Sequence, residues 1–522
     1  MSSTQHYGVA VVGGGPVGML LATELGLHGI STVVLESNAA TVDQPKAGTL
    51  HARTVQSLAR RGHLPARRGG RLDQLTADAF HFAGMPGLTI TAPAVEGTPI
   101  AGRTQADLER AFERRARELG VSIRRGHRVV ALSQTADLVE ITAEQANGGR
   151  VVVTADYAVG ADGARSAVRR LAGIPSDDHP PTVAALLGQV RLLDPTGTPP
   201  GWHLTPRGWT VINVNPFGYS RVITFDFSGP HTDRHTPVGL DELRATASRI
   251  AGQDIPMADA VFTSRFSDYT RLTRQYRDRR VFLAGDAAHV HFPVGGQGLN
   301  LGLQDAMNLG WKLAATLRGH AGPGLLDSYH EERHPAGQRV VDNTRAQLAL
   351  MRPGAQTDPL RALFRELLSL DQVNAHLGDM ISAQETVYGS APGSPWEGRF
   401  LPNLPLTADG RETCVAELLH PGRPVLLLFD GVDPGCVRAA AGWAHAVDAV
   451  RVHSPEPLPW GALLVRPDGY VAWAGSRSAD EEDGVRSALR KWFGAPRPAG
   501  NAVSSGPAAG AVTVAAPGVS AG

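Results

Sequence analysis

Cysteine is nearly missing from this chain: Cys414 and Cys436 are the only two in 522 residues, and neither belongs to a CxxC pair or a metal-ligand spacing. An iron–sulfur cluster and a structural zinc site are therefore not expected, and a reducing, cytoplasmic setting fits. Charge of one sign is missing too. Lys+Arg and Asp+Glu both number 50, so no net field gathers nucleic acid or an anionic membrane, and a small molecule is the expected partner. Long apolar runs are also lacking. The stretch Val9 to Leu27 is broken by Gly13-Gly14-Gly15-Pro16 and has no basic leader, so it reads as strand, turn and helix rather than as a signal peptide or membrane span. No repeat of solenoid period occurs.

What is present starts with a βαβ unit. Gly8-Val9-Ala10-Val11-Val12 is a short continuous apolar run, as a strand covered on both faces needs. Val17 to His28 has helical spacing, and Thr32-Val33-Val34-Leu35-Glu36 is a second strand. A charged amphipathic helix is expected over Leu108 to Leu119, then strands from Val121 to Val153. Between about Val183 and Phe266, short alternating runs separated by Pro and Gly predict a mostly antiparallel second domain. A buried strand at Arg280 to Ala284 and a long helix from near Leu299 follow, with further helices to about Gln384. After a Pro- and Gly-rich boundary near Pro395 to Pro405, a small α/β domain is expected. The last ~25 residues are nearly all Ala, Gly, Val, Pro and Ser, a composition too poor in large apolar groups to order itself.

The chemistry sits on turns. Gly13-Gly14-Gly15-Pro16-Val17-Gly18 satisfies G-x-G-x-x-G between a buried strand and a helix. Gly13 permits the turn, Gly15 lets backbone approach a pyrophosphate, Gly18 lets helix and strand pack closely, and the helix dipole favours the anion. Glu36, at the end of the second strand, can accept the hydroxyls of an adenosine ribose. This much calls for a dinucleotide, either NAD or FAD.

Two further segments bear on that choice: Asp156 to Ser166, containing Asp162-Gly163, and Gly285-Asp286-Ala287-Ala288-His289. With the first motif they resemble the three signatures of the flavoprotein aromatic hydroxylases of the p-hydroxybenzoate hydroxylase type. The resemblance covers about Tyr7 to Pro335 and includes Gly295-Gly296-Gln297-Gly298-Leu299-Asn300. It implies FAD as cofactor, with NADPH or NADH as a transient co-substrate that needs no second G-x-G-x-x-G. It further implies that Asp286 meets the ribityl chain, and that Pro293, Gly296, Gly298, Leu299 and Asn300 lie against the isoalloxazine, where backbone amides stabilise negative charge on the reduced ring. Arg103 and Gln105 match contacts to the diphosphate and ribityl chain, and Val129 a backbone contact to adenine. Lys46 stands where the family has a cofactor-holding Arg, and since a Lys cannot grip in bidentate fashion, nearby Arg53 is a candidate to share the task.

The stretch Ala47 to Leu64 looks closest to bacterial hydroxylases of aromatic polyketides, which also carry a thioredoxin-like C-terminal domain. The fold expected is thus α/β: a Rossmann-like FAD-binding domain (1–180 and 270–395), a mixed-sheet substrate domain (76–100 and 181–269), a thioredoxin-like domain (398–496) without CxxC, and a disordered tail (497–522). The function implied is NAD(P)H- and O2-dependent hydroxylation of a polycyclic aromatic through a C4a-hydroperoxyflavin, by a monomer or homodimer. Trp209, Tyr219 and Phe225 are the candidates for stacking on substrate, and His291 for assisting phenol deprotonation. Baeyer–Villiger oxidation or hydroxylation of a rifamycin-type antibiotic is the alternative on the same scaffold. A flavin oxidase or dehydrogenase is a more distant one.

Overall fold

The computed structural model describes residues 5–44, 47–231, 233, 236–389, 394–477 and 481–497. Lys46 and the tail beyond Arg497 lie outside these residues.

The opening strand Gln5–Val12 lies between two parallel neighbours, Thr32–Glu36 on one side and Arg150–Gly160 on the other. Ser122–Arg125 extends the sheet beyond Thr32–Glu36, and Val281–Leu283 extends it beyond Arg150–Gly160, both in parallel. The order of these five is that of a Rossmann sheet, with its switch point between the first strand and Arg150–Gly160. Every residue of Thr32–Glu36 is buried, which is why the sequence there is an unbroken apolar run rather than an alternation. The helix Pro16–Leu27 is buried nearly all round because the helices Gln105–Glu118 and Gln297–Leu317 cover it. Gly310 makes the closest approach possible: a Cβ there would lie 2.5 Å from the Cβ of Glu24.

The antiparallel sheet expected in the middle of the chain has five strands in the order Gly201–Thr205, Gly208–Asn213, Ser220–Asp226, Ala184–Leu192 and Met257–Ser267. One face packs on the helix Leu240–Ala251 through Ile212, Val222 and Leu243. The other, bearing Trp209, Val211 and Phe225, packs with the hairpin Leu75–Phe82/Met85–Pro93 and with Phe292 and Val294. The two-residue hairpin turn, Ala83-Gly84, has positive φ at both positions, 52° and 77°. Gly84 is obligatory, since a Cβ would sit 2.8 Å from the Trp202 ring.

The last sheet runs Asp448–Arg451, Val425–Leu428, Ala462–Val465, Val471–Gly475. A parallel pair is followed by an antiparallel hairpin, with the helices Pro434–Ala441 and Glu482–Phe493 on it, as a thioredoxin-like unit requires. It docks on the rest through buried ions. Arg466 pairs with Glu332 at 2.6 Å, Lys312 with the same Glu332 at 2.7 Å, and Asn308 donates to Asp468. Arg60 forks onto Glu96 and also donates to the Leu401 carbonyl.

Candidate active site

The three motifs come together because their strands are neighbours. Gly13, Asp162 and Gly285-Asp286 each follow the carboxyl end of one of three adjacent parallel strands. The Ala161 amide donates to the Val12 carbonyl at 2.7 Å, and the Ala284 amide to the Gly160 carbonyl at 2.9 Å. Gly13 has φ 106°, and a Cβ there would meet the Ala161 carbonyl at 2.3 Å. A Cβ on Gly18 would meet the Gly13 carbonyl at 2.0 Å. Gly15 is different: nothing lies within 4 Å of its missing Cβ. The helix that follows starts with Pro16, has no side-chain cap and no acid in its first turn, so its positive end faces open space. Glu36 accepts the Gly14 amide at 2.5 Å and the Asn38 amide at 2.7 Å, which aims its carboxylate at the same crevice.

Asp162 spends one oxygen on the Ala167 and Val168 amides, while its Oδ1 is enclosed without a partner among the described residues. Burial raises its pKa above the ordinary aspartate value. The adjacent Gly163, at φ 77°, has open space where a Cβ would be. Asp286 is exposed on the turn Gly285–Ala287. That turn is fixed from behind: Asp305 accepts the Gly285 amide at 3.0 Å, His289 at 2.7 Å and Arg333 Nε at 2.8 Å. Burial pushes the Asp305 carboxyl up, but Arg333 and His289 outweigh it and hold the group below its ordinary value.

The glycine cluster forms the left-handed turn Gly295-Gly296 (φ 76° and 63°) that opens the helix Gln297–Leu317, again without a side-chain cap. Asn300 ties this turn to the strand Thr49–His51: its Nδ2 donates to the Thr49 and Gly296 carbonyls, and its Oδ1 accepts the His51 amide at 2.8 Å. His51 Nε2 donates to the Gly295 carbonyl at 2.8 Å. Behind the turn, Asn343 Nδ2 donates to Gln297, Gln347 Nε2 donates to Asn343, and Gln347 Oε1 accepts the Ala83 amide of the hairpin.

Facing this turn is a chain of rings. His51 meets Phe80 edge-on with centroids 5.2 Å apart, Phe80 stacks on His81 at 4.6 Å, and His81 contacts Trp202 at 4.5 Å. Trp202 then meets Trp209 and Phe225, and Phe225 meets Phe292, which immediately precedes Pro293. Trp209 and Phe225 are directly cross-strand and form this wall together. Tyr219 is a correction to the sequence-based expectation. It lies past the other end of the same hairpin, six residues or roughly 20 Å along the strand from Phe225, half exposed beside the solvent-facing Phe217.

Arg53 also departs from expectation. Its guanidinium stacks on Phe400 at 3.8 Å, bonds Gln56 and donates to the Gln384 carbonyl, so its face and its donors are engaged by the protein itself. Arg103 is exposed, its amide bonded to the Gly48 carbonyl, and the Gln105 amide bonds to Ala47. Val129 is a core residue of the strand His127–Gln134. Pro293 is exposed and Leu299 half-buried on the cluster. His291 Nδ1 bonds the Phe292 carbonyl at 2.8 Å, leaving Nε2 as a bare lone pair, and burial lowers its pKa to about 4. His51, His81, Asn343 and Gln347 were not singled out from the sequence: polar residues at isolated positions carry no periodic signal.

An uncapped glycine turn, an open Gly15, an orphaned Asp162 oxygen and a carboxylate at Glu36 together fit a dinucleotide along this crevice. Among the described residues no cluster of three or more His, Cys, Asp or Glu could hold a metal, and no helix is long and apolar enough to cross a membrane. Residues 6–344 match the FAD binding domain family and residues 394–496 the aromatic-ring hydroxylase C-terminal family. The 12-dehydrotetracycline 5-monooxygenase/anhydrotetracycline 6-monooxygenase of Streptomyces rimosus subsp. rimosus is 40% identical over 515 residues, covering 94% of this chain and 99% of that protein. A rifampicin monooxygenase of Streptomyces venezuelae is 38% identical over 495 residues, covering 94% and 99%. The solved structure of CabE, an aromatic hydroxylase from angucycline biosynthesis, superposes with a TM-score of 0.84 at 37% identity, covering 94% of this chain and all of that one.

Proposed function

Because the chain belongs to the family of FAD-binding aromatic-ring hydroxylases, we propose that it is a single-component monooxygenase that uses NAD(P)H and O2 to hydroxylate a polycyclic, polyketide-type aromatic. The observation that carries the substrate class is the ring wall from His51 to Phe292, in which Phe80, His81 and Trp202 are part-exposed and are backed by the buried His51, Trp209, Phe225 and Phe292. A flat fused-ring molecule stacks on such a wall with little loss of conformational freedom. We place the enzyme in the cytoplasm, where reduced nicotinamide is supplied.

Bound in the crevice, FAD supplies the redox chemistry and the activation of oxygen. The chain's own residues do the rest. Gly15 and the open end of Pro16–Leu27 hold the diphosphate, Glu36 accepts ribose hydroxyls, and Asp286 accepts from the ribityl chain. The uncapped amides opening Gln297–Leu317 would stabilise negative charge on the reduced flavin. The ring wall excludes water and fixes the angle of the substrate. His291 serves as a hydrogen-bond acceptor: with a pKa near 4 it orients a phenolic hydroxyl without removing its proton in the ground state.

The relative that acts on rifampicin gives the second reading, oxygen transfer to an antibiotic already made. One assay addresses both. NADPH oxidation is followed aerobically with anhydrotetracycline, a polycyclic phenol panel and rifampicin; stimulation of about tenfold or more with a product heavier by one oxygen identifies the class. Equal NADPH consumption with and without every compound contradicts the reading.

A further inference from the structure

Three histidines border the ring wall, and they differ in how their nitrogens are used. His51 has given Nε2 to the Gly295 carbonyl and His291 has given Nδ1 to the Phe292 carbonyl, each keeping one enclosed nitrogen without a partner among the described residues, whereas His81 has a hydrogen bond at neither nitrogen. His81 Nδ1 is enclosed without any hydrogen-bond partner among the described residues. Its ring is held from two sides, by Phe80 at 4.6 Å and Trp202 at 4.5 Å. Beside it the ladder is irregular: Phe80 pairs with Leu88 and His81 with Pro86, so Gly87 of the partner strand is left over as a β-bulge opposite the Phe80-His81 pair. The result is an imidazole set between two aromatic rings. For packing alone a phenyl ring would fill the place without leaving a buried polar atom unsatisfied.

We propose that His81 recognises the substrate, its imidazole forming a hydrogen bond to a hydroxyl of the fused-ring phenol stacked on the wall. The inference rests on the substrate class proposed above and adds the residue that reads a polar position on it. Burial lowers the pKa of His81 to about 4, so the ring stays neutral at working pH and offers both a donor and an acceptor, which suits a hydroxyl. The aromatic neighbours fix the plane of the substrate, and the imidazole fixes its rotation within that plane. That decides which carbon comes to face the reacting centre.

The test uses FAD-loaded protein and two probes of nearly equal shape, 1-hydroxyanthracene and anthracene, titrated against the visible absorbance of the bound flavin. In the wild type the phenol binds more tightly than the hydrocarbon. His81→Phe weakens the phenol by about tenfold and changes anthracene by less than about twofold, and His81→Gln keeps the phenol within about threefold of wild type. FAD content and melting temperature serve as folding controls, and His81→Leu replaces the phenylalanine variant should that one not hold FAD. Equal loss for both probes, or no loss for either, overturns the role of His81 while leaving the substrate class standing. If neither probe perturbs the flavin of the wild type, the substrate class itself falls, and this inference with it.

Discussion

Arg333 Nε stands 2.8 Å from Asp305 Oδ1, and both side chains are shut off from solvent. The other Asp305 oxygen holds the Gly285 amide and His289. Arg333 in turn donates to the Tyr388 hydroxyl at 2.9 Å, and the Tyr388 ring stacks on Tyr470 of the C-terminal sheet with centroids 4.0 Å apart. The turn that presents Asp286 is therefore propped by a line of contacts that ends in another sheet.

Removing one member of this line leaves a buried charge short of its partner. Arg333→Met should cost about 3–5 kcal/mol. Tyr388→Phe loses a single hydrogen bond and should cost about 1 kcal/mol. Thermal denaturation combined with FAD titration checks both. The account expects the first variant to lose flavin as well as stability, and a variant that melts early but binds FAD normally would disconnect the prop from the site.

The glycines of the first motif should separate by position. Gly18→Ala places a methyl 2.0 Å from the Gly13 carbonyl and should prevent a stable fold. Gly15→Ala meets nothing within 4 Å, and its φ of −72° suits alanine. It should leave the melting temperature of the FAD-free protein nearly unchanged while weakening FAD by about tenfold or more, because the methyl occupies the space the diphosphate approaches. Flavin release on gel filtration reads the difference.

That contrast also shows how far the sequence could be read. The βαβ unit, the three motifs and the antiparallel middle were legible because apolar runs, glycine turns and alternation leave a pattern in sequence order. Arg53 was set beside Lys46 because a cation seven residues further on looks the same whether it meets a phosphate or, as here, the face of Phe400 contributed from far along the chain. Tyr219 was misread because an aromatic next to an alternating strand does not reveal which end of the hairpin it occupies. His81 was invisible: its meaning comes from Trp202, contributed from far along the chain, which leaves no local signal.

Docking of the C-terminal sheet should depend on Arg466. It faces Glu332 and Asp468 at 2.6 and 2.5 Å, and Lys312 shares Glu332. Burial lowers the Lys312 pKa to about 8, with Glu332 opposing the shift. Arg466→Met leaves one cation against two buried carboxylates and should lower the melting temperature by several degrees. Limited proteolysis should then cut the variant faster than the wild type. A variant that resists protease as well as the wild type would contradict this.

Acid should unfold the protein through its histidines. Burial lowers His28 to about 3, and His51, His63, His81 and His291 to about 4, from an ordinary value of 6.5. These groups are neutral in the fold and protonated in the unfolded chain below that value. Their contribution is complete above about pH 6.5 and is lost as pH falls towards 4. Melting temperatures from pH 7.5 to 4.5 should fall steadily, and His28→Gln should lower proton uptake on unfolding at pH 5 by about one.

The thioredoxin-like sheet should have no thiol chemistry. Cys414 and Cys436 are buried, and burial pushes the Cys436 thiol up to about 11. The native protein should react slowly with Ellman's reagent and keep its full activity in excess reductant. Rapid labelling with loss of activity would contradict it.

The measurement that reaches the central claim most directly is turnover under labelled dioxygen. FAD-loaded protein and NADPH are incubated under 18O2 with whichever polycyclic compound of the panel stimulates NADPH oxidation, and the product mass is read. The account predicts a product carrying one labelled oxygen, formed in near step with NADPH consumed. NADPH consumption yielding only hydrogen peroxide, for this compound and for the phenol panel, would contradict the monooxygenase reading and leave an oxidase in its place.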